Sequence, residues 1–306
     1  MRRRTTVCIL AAVMVAVPIL GAGAQQLDEM FEKMDENFAE SRFDENTRLL
    51  EQAETEVSTS EERAGYLWRL ARNELVLTDA KKREGASKDE LLEGYKRCEE
   101  LADEAVSLDS RNHNAYYWRA SGVGRWGQTK GVLNSLMKAG PMREDLEKAV
   151  SIEPEHADSY YVLGQLYAAV PGLISFGNID YAVSYSRKAL ASYVGLQTKY
   201  SFYLKLAEQL WDRNWSERKR RNRFDDLESD YRKADTPAER NKYFEGVFDA
   251  SASRVYARGG VDDLSDREEA RKIVSWLIDA MESEPRIPPR QMEYLETARQ
   301  LQKDWN

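Results

Sequence analysis

Tyr160-Tyr161-Val162-Leu163-Gly164-Gln165-Leu166-Tyr167 is the stretch on which the fold turns. Tyr160, Leu163, Gly164 and Tyr167 stand at i, i+3, i+4 and i+7, so helical winding gathers them on one face. Gly164 removes a side chain from the middle of that face, where a neighbouring helix has to come close. Upstream, Pro154 cannot donate the next helical hydrogen bond and ends the preceding helix. Tyr116-Tyr117-Trp118-Arg119-Ala120 opens an equivalent helix earlier in the chain.

An internal repeat surrounds these aromatic helices. Leu49-Leu50-Glu51-Gln52-Ala53, Leu101-Ala102-Asp103-Glu104-Ala105, Leu146-Glu147-Lys148-Ala149 and Ser186-Arg187-Lys188-Ala189 are similar segments, each closing an apolar-periodic helix. Helix exits follow at Ser58, Ser110, Pro154 and Val194. Composition agrees with helix: 17 Gly and 8 Pro in 306 residues are too few for a fold of many short strands. The expected architecture is all-α, a solenoid of helical hairpins of roughly ten to twelve helices. Long inserts separate the paired helices, at Gly124–Gly140 and Ala168–Asn178. They carry Trp126, Val132, Leu133, Leu136 and Met137, then Val170, Leu173, Ile174 and Phe176. Solvated loops are not so apolar, so the inserts extend helices, fold against the solenoid, or line a cavity or partner surface, with Trp126, Leu133 and Phe176 the marked residues.

Past Val194 the helices continue, from about Lys199 to Trp215 and then beyond a polar stretch. Thr236-Pro237-Ala238-Glu239 and Ser265-Asp266-Arg267-Glu268 are capping boxes. Gly259-Gly260 ends the first of these helices, Pro285 follows the second, and Ile287-Pro288-Pro289 introduces a last one. The expected organisation is a leader over residues 1–24, helical repeats over 25–196, and a C-terminal helical region over 197–306 that packs on the repeats as a cap.

The leader is read from Arg2-Arg3-Arg4, the apolar run Val7–Leu20 and Ala22-Gly23-Ala24, which together form a signal peptide cleaved after Ala24. The run is shorter than the roughly 20 residues of a spanning helix, although an uncleaved signal anchor is the alternative. Cys8 lies too early in it to be a lipoprotein cysteine. Periplasmic or secreted localisation follows. Cleavage makes the chain more acidic than its formal charge of -8, which disfavours nucleic acid and anionic membranes as general partners.

The pattern Tyr160-x2-Leu163-Gly164-x2-Tyr167 with Ala182-x6-Ala189, preceded by Met142-x3-Leu146-x2-Ala149-x4-Pro154, resembles the tetratricopeptide repeat over about residues 28 to 195. The run from Trp118 through Gly164 is also similar to two long-insert subfamilies. One is the T component associated with TRAP transporters, a periplasmic protein implied to oligomerise and to engage a solute-binding protein. The other is the regulator of microtubule dynamics family. The export signal favours the first. The resemblance implies that the first helix of each pair lines a concave groove, with Asn114, Tyr117 and Ser121 from one unit and Asp158, Tyr161 and Gln165 from the next. Such a groove suits an extended peptide or a small ligand, unless these tyrosines pack between helices.

Catalytic chemistry is thinly represented. With 2 His and 2 Cys, zinc sites, disulfide frameworks and His-based triads are nearly excluded, and no metal or cofactor is expected. Gly122-Val123-Gly124-Arg125-Trp126-Gly127 matches G-x-G-x-x-G but follows a helix, so it reads as a glycine-rich connector rather than a nucleotide loop. His113 and His156 read as surface residues of equivalent inter-repeat turns, and Cys98 as a packed core residue. The basic run Arg218–Arg223 reads as a solvated helix or linker, or as a contact for an acidic partner or lipid headgroups. The expected function is that of an exported, non-catalytic scaffold for protein–protein interaction, an accessory of a TRAP-type solute-uptake system. Its partner would be a periplasmic solute-binding protein, with a possible homo-oligomer. The alternative is a solenoid that binds a small hydrophobic ligand.

Overall fold

The structure is a computed structural model that describes residues 22–173, 175–195, 198–246, 256 and 263–305. Every regular element among the described residues is helical, and the chain divides into two compact units, residues 1–57 and 58–306.

In the first unit α1 (Ala22–Ala39) and α2 (Phe43–Ala53) form a hairpin. Leu27, Phe31 and Met34 are buried on α1, and Leu50 and Ala53 on α2. Asn46 is buried with them, and its Nδ2 donates to the Met34 carbonyl at 3.0 Å. Of the expected leader, residues 1–24, the first 21 lie outside the described residues. Ala24, after which cleavage was expected, stands inside α1.

The second unit opens with three hairpins: α3 (Ser60–Arg83) with α4 (Lys88–Leu108), α5 (His113–Lys130) with α6 (Val132–Ile152), and α7 (Ala157–Ala169) with α8 (Ile179–Ser192). Four of the six begin where the sequence supplies a side-chain acceptor for unpaired amides, while α6 and α7 start without one. Thr59 and Glu62 form a reciprocal capping box on α3, and Ser87, Asn112 and Asn178 accept from the first turns of α4, α5 and α8. The repeat alanines Ala105, Ala149 and Ala189 are fully buried, because each lies where the partner helix crosses. Tyr116 and Tyr160 are equivalent too. Each is buried, and its hydroxyl donates back to the carbonyl at the preceding helix exit, Ser110 at 3.3 Å and Pro154 at 3.0 Å.

The glycine-rich hexapeptide is not a connector. It lies within α5, and its glycines admit neighbouring helices. A Cβ on Gly122 would stand 3.0 Å from the Glu99 amide nitrogen, and one on Gly124 would meet Met142. The first insert therefore lengthens α5 and α6 by extra turns, which meet at Gly131, whose φ of +128° a side chain would strain. The second insert is a loop. Val170 is buried at its start and Phe176 packs edge-on against Tyr167 at 5.2 Å.

The remaining helices are α9 (Tyr200–Arg213), α10 (Glu217–Lys233), α11 (Pro237–Asn241), α12 (Asp266–Glu282) and α13 (Pro289–Asp304). Leu206 and Leu210 of α9 bury against Ile273, Val274 and Leu277 of α12, each full burial contributing roughly 1.5–3 kcal/mol. Trp305, just after α13, stacks on Trp211 at 4.3 Å. Ser265 and Glu268 form the expected capping box on α12, while Thr236 accepts from the Glu239 amide at 3.2 Å. The helix that Thr236 begins is shorter than expected. It stops at Asn241, whose Nδ2 donates to Tyr160 Oη at 2.7 Å, and a 3-10 turn, Phe244–Gly246, follows. Gly259 and Gly260 lie outside the described residues.

The 3-10 turn delivers Glu245 to a buried ionic cluster. Arg187 of α8 forms a bidentate pair with Glu269 of α12 and reaches Glu245 at 3.1 Å. Arg213 of α9 pairs with Asp266 at 2.7 and 2.8 Å and with Glu245. Arg220, from the basic run, places Nη2 2.8 Å from Glu269 and donates to the Leu264 carbonyl at 2.9 Å. The run is thus not uniformly solvated: one turn of α10 sends Arg220 inward and leaves Arg221 outside.

Candidate functional site

Helical winding puts Asn114, Tyr117 and Ser121 on one face of α5, and Asp158, Tyr161 and Gln165 on the matching face of α7. All six are half-buried. The Tyr117 hydroxyl is enclosed beside Ser121. Burial raises its pKa well above that of a free phenol, and the nearby Asp158 carboxylate adds to the effect. The two faces are therefore close enough to share an electrostatic environment. Tyr161 is stacked on Phe202 of α9, with ring centroids 4.3 Å apart. Burial raises its pKa as well.

Charged side chains border these rings. Arg125 of α5 pairs with Asp79 of α3 at 3.1 Å, and Tyr95 donates to the same Asp79 at 2.7 Å. Lys199 reaches Asp158 at 3.5 Å and stands over the rings of Tyr193 and Phe202. The face is aromatic and amide-bearing, and the charges beside it are paired.

His113 and His156 are not isolated surface residues. Both open helices of this face, and their rings meet edge to face at 4.9 Å, with Tyr117 5.2 Å from His156. Burial lowers both pKa values, and the neighbouring His113 helps to bring His156 down to about 4. His156 Nδ1 lies 2.7 Å from Ser159 Oγ. The sequence signal was their equivalent position before the two aromatic helices. Phe202, Lys199 and Arg125 were legible as residues but not as neighbours of Tyr161 and Tyr117, because their proximity depends on how the hairpins stack.

Trp126, Leu133 and Phe176 have separate surroundings. Trp126 lies beneath Lys130 and Lys138, Leu133 is exposed, and Phe176 is held by Tyr167 and Arg143. Cys98 is fully buried, and burial raises its thiol pKa far above the ordinary range. Among the described residues no group of His, Cys, Asp and Glu is arranged to hold a metal ion.

Residues 26–176 match the family model described as Regulator of microtubule dynamics protein 1-3. Curated relatives include Regulator of microtubule dynamics protein 1 of Bos taurus, 27% identical over 139 residues, which are 45% of this chain and 41% of that protein. Regulator of microtubule dynamics protein 3 of Mus musculus is 25% identical over 103 residues, 34% of this chain and 21% of that protein; its counterpart in Rattus norvegicus gives the same figures. The chain thus spans less than half the length of the relatives it matches.

These relatives correct the functional expectation. The matched family is the second of the two long-insert subfamilies, and its members in cattle and rodents bear the name of microtubule regulators. An accessory of a TRAP-type transporter, a periplasmic solute-binding protein as partner, and periplasmic or secreted localisation by a signal peptide do not stand. The small-ligand solenoid is not favoured either. The run from Trp118 through Gly164 is similar to both subfamilies, and the apolar leader is the wrong criterion between them. The repeat half of this chain, residues 26–176, is similar to the regulator of microtubule dynamics family.

Proposed function

We propose that this chain is a non-catalytic regulator of microtubule dynamics that holds an extended segment of a protein partner along the face of α5, α7 and α9. The observation that carries this reading is the family match over residues 26–176, which takes in Asn114, Tyr117, Ser121, Asp158, Tyr161 and Gln165. The chemistry of the face supports it. Amide and hydroxyl groups pair with the backbone of an extended chain, and half-buried tyrosine rings receive its side chains. The paired helices also support a tetratricopeptide-like reading of the repeats. A non-catalytic role is supported by the sealed thiol of Cys98 and by the pairing of Arg125 and Lys199 with carboxylates.

The test is the growth and catastrophe rate of single microtubules, followed by fluorescence microscopy in purified tubulin and in cell extract, with the chain added. An altered rate that is lost on replacing Tyr117 and Tyr161 by Ala, with helicity unchanged, is the expected result. Unchanged rates in both settings overturn the reading.

A further inference from the structure

The free end of the α5–α6 hairpin carries side chains that the core does not use. Val132, Leu133 and Met137 are 79%, 71% and 71% exposed, and they follow one another around the first turns of α6. Loop tips are usually polar, and a cluster of large apolar groups this exposed marks a contact surface. Its surroundings are cationic. Lys130 and Lys138 both stand over the ring of Trp126, at 5.9 and 5.6 Å, and Lys88 reaches the Lys130 carbonyl from α4 at 3.5 Å.

The charge distribution along the chain singles out the same place. Residues 110–143 contain no Asp or Glu, while Arg111, Arg119, Arg125, Lys130, Lys138 and Arg143 fall within them. Arg119 and Arg125 are spent on Asp145, Asp103 and Asp79. Lys138 meets Glu99 only at 3.9 Å. A chain of formal charge -8 therefore presents an apolar tip with a positive collar. Screening over about 10 Å in salt makes the local collar, not the net charge, the quantity that an approaching surface feels.

We propose that this hairpin tip is a docking site for a lipid bilayer rich in anionic headgroups. Val132, Leu133 and Met137 enter the acyl boundary, Trp126 sits at headgroup level, and Lys130, Lys138 and Lys88 pair with the headgroup anions. A protein partner would need its own apolar socket, whereas a bilayer accepts a protruding knob of any shape. The contact is peripheral, since no helix among the described residues is long and apolar enough to cross a membrane. This proposal stands apart from the groove reading, because it uses a different part of the hairpin.

Co-sedimentation with phosphatidylcholine vesicles, with and without phosphatidylserine, tests it. The full chain is expected to bind the phosphatidylserine vesicles and to be released by salt. Val132→Asp with Leu133→Asp lowers that affinity by at least about tenfold. Lys130→Glu with Lys138→Glu, which leaves the apolar groups in place, removes the preference for phosphatidylserine. Vesicles with brominated acyl chains are expected to quench part of the tryptophan fluorescence, and Trp126→Phe to abolish that part. Circular dichroism establishes that each variant is folded. No binding to either vesicle, or binding by both double variants that equals that of the parent, overturns the proposal. So does a dimer seen by light scattering that the Asp variant dissolves while vesicles retain nothing, since the tip would then be a contact between copies.

Discussion

Arg187 and Glu269 meet in a fully buried bidentate pair, Nη1 to Oε1 at 2.9 Å and Nη2 to Oε2 at 2.8 Å, across the junction of α8 and α12. The pair ties the last repeat helix to a helix 82 positions further along the chain. Burial alone would push Arg187 towards neutrality, but Glu269 and Glu245 overcome it and hold its pKa well above the ordinary value.

Removing that guanidinium should be costly. Arg187→Met leaves Glu269 and Glu245 buried with one cation fewer, and an uncompensated buried charge costs about 3–5 kcal/mol. Urea unfolding followed by circular dichroism is the check. A midpoint shift worth less than 1 kcal/mol, as for a surface pair, would show that the cluster does not hold α8 to α12.

The basic run provides an internal control. Arg220→Met is expected to lose roughly 3 kcal/mol by the same mechanism, because Arg220 contacts Glu269. Its neighbour Arg221 faces solvent, and Arg221→Met should stay within about 0.5 kcal/mol of the parent. Equal effects in the same unfolding assay would contradict the inward assignment of Arg220.

Acid should weaken the fold through His156 before it reaches most carboxylates. The folded chain holds His156 at about 4, against 6.5 when unperturbed, so between these values the unfolded state binds more protons. Stability is complete above about pH 6.5 and falls as the pH drops towards 4, by up to about 3 kcal/mol. The comparison is the unfolding free energy of the parent and of His156→Gln at several pH values across that window. A parent curve no steeper than that of the variant would refute the assignment.

Two glycines in neighbouring helices should respond in opposite directions. A Cβ on Gly122 would press on the backbone, 3.0 Å from Glu99 N and 3.1 Å from Tyr95 O, so Gly122→Ala is expected to cost about 1–3 kcal/mol. Gly140 lies inside α6, and apart from its chain neighbours and its own helix backbone nothing stands within 4 Å of the added atom. Gly140→Ala therefore gains about 0.5–1 kcal/mol from helix propensity. Thermal unfolding of the two variants decides both signs.

The residues by themselves determined the helical class, the pairing of helices around Ala105, Ala149 and Ala189, the caps at Ser265 and Thr236, and which tyrosines share a face of α5 or α7. All of these depend on spacing within a turn or between adjacent helices, where the period of the helix converts sequence distance directly into space. Tertiary structure decided what that period cannot reach. Gly122 and Gly124 read as a loop until α4 and α6 are seen against them, and Arg220 reads as one more surface cation until Glu269 arrives from a later helix. Likewise His113 and His156 read as separate turn residues, although the stacking of two hairpins presses their rings together. In each case the deciding neighbour is distant in sequence and is brought close only by burial of a shared apolar face, which no local pattern encodes.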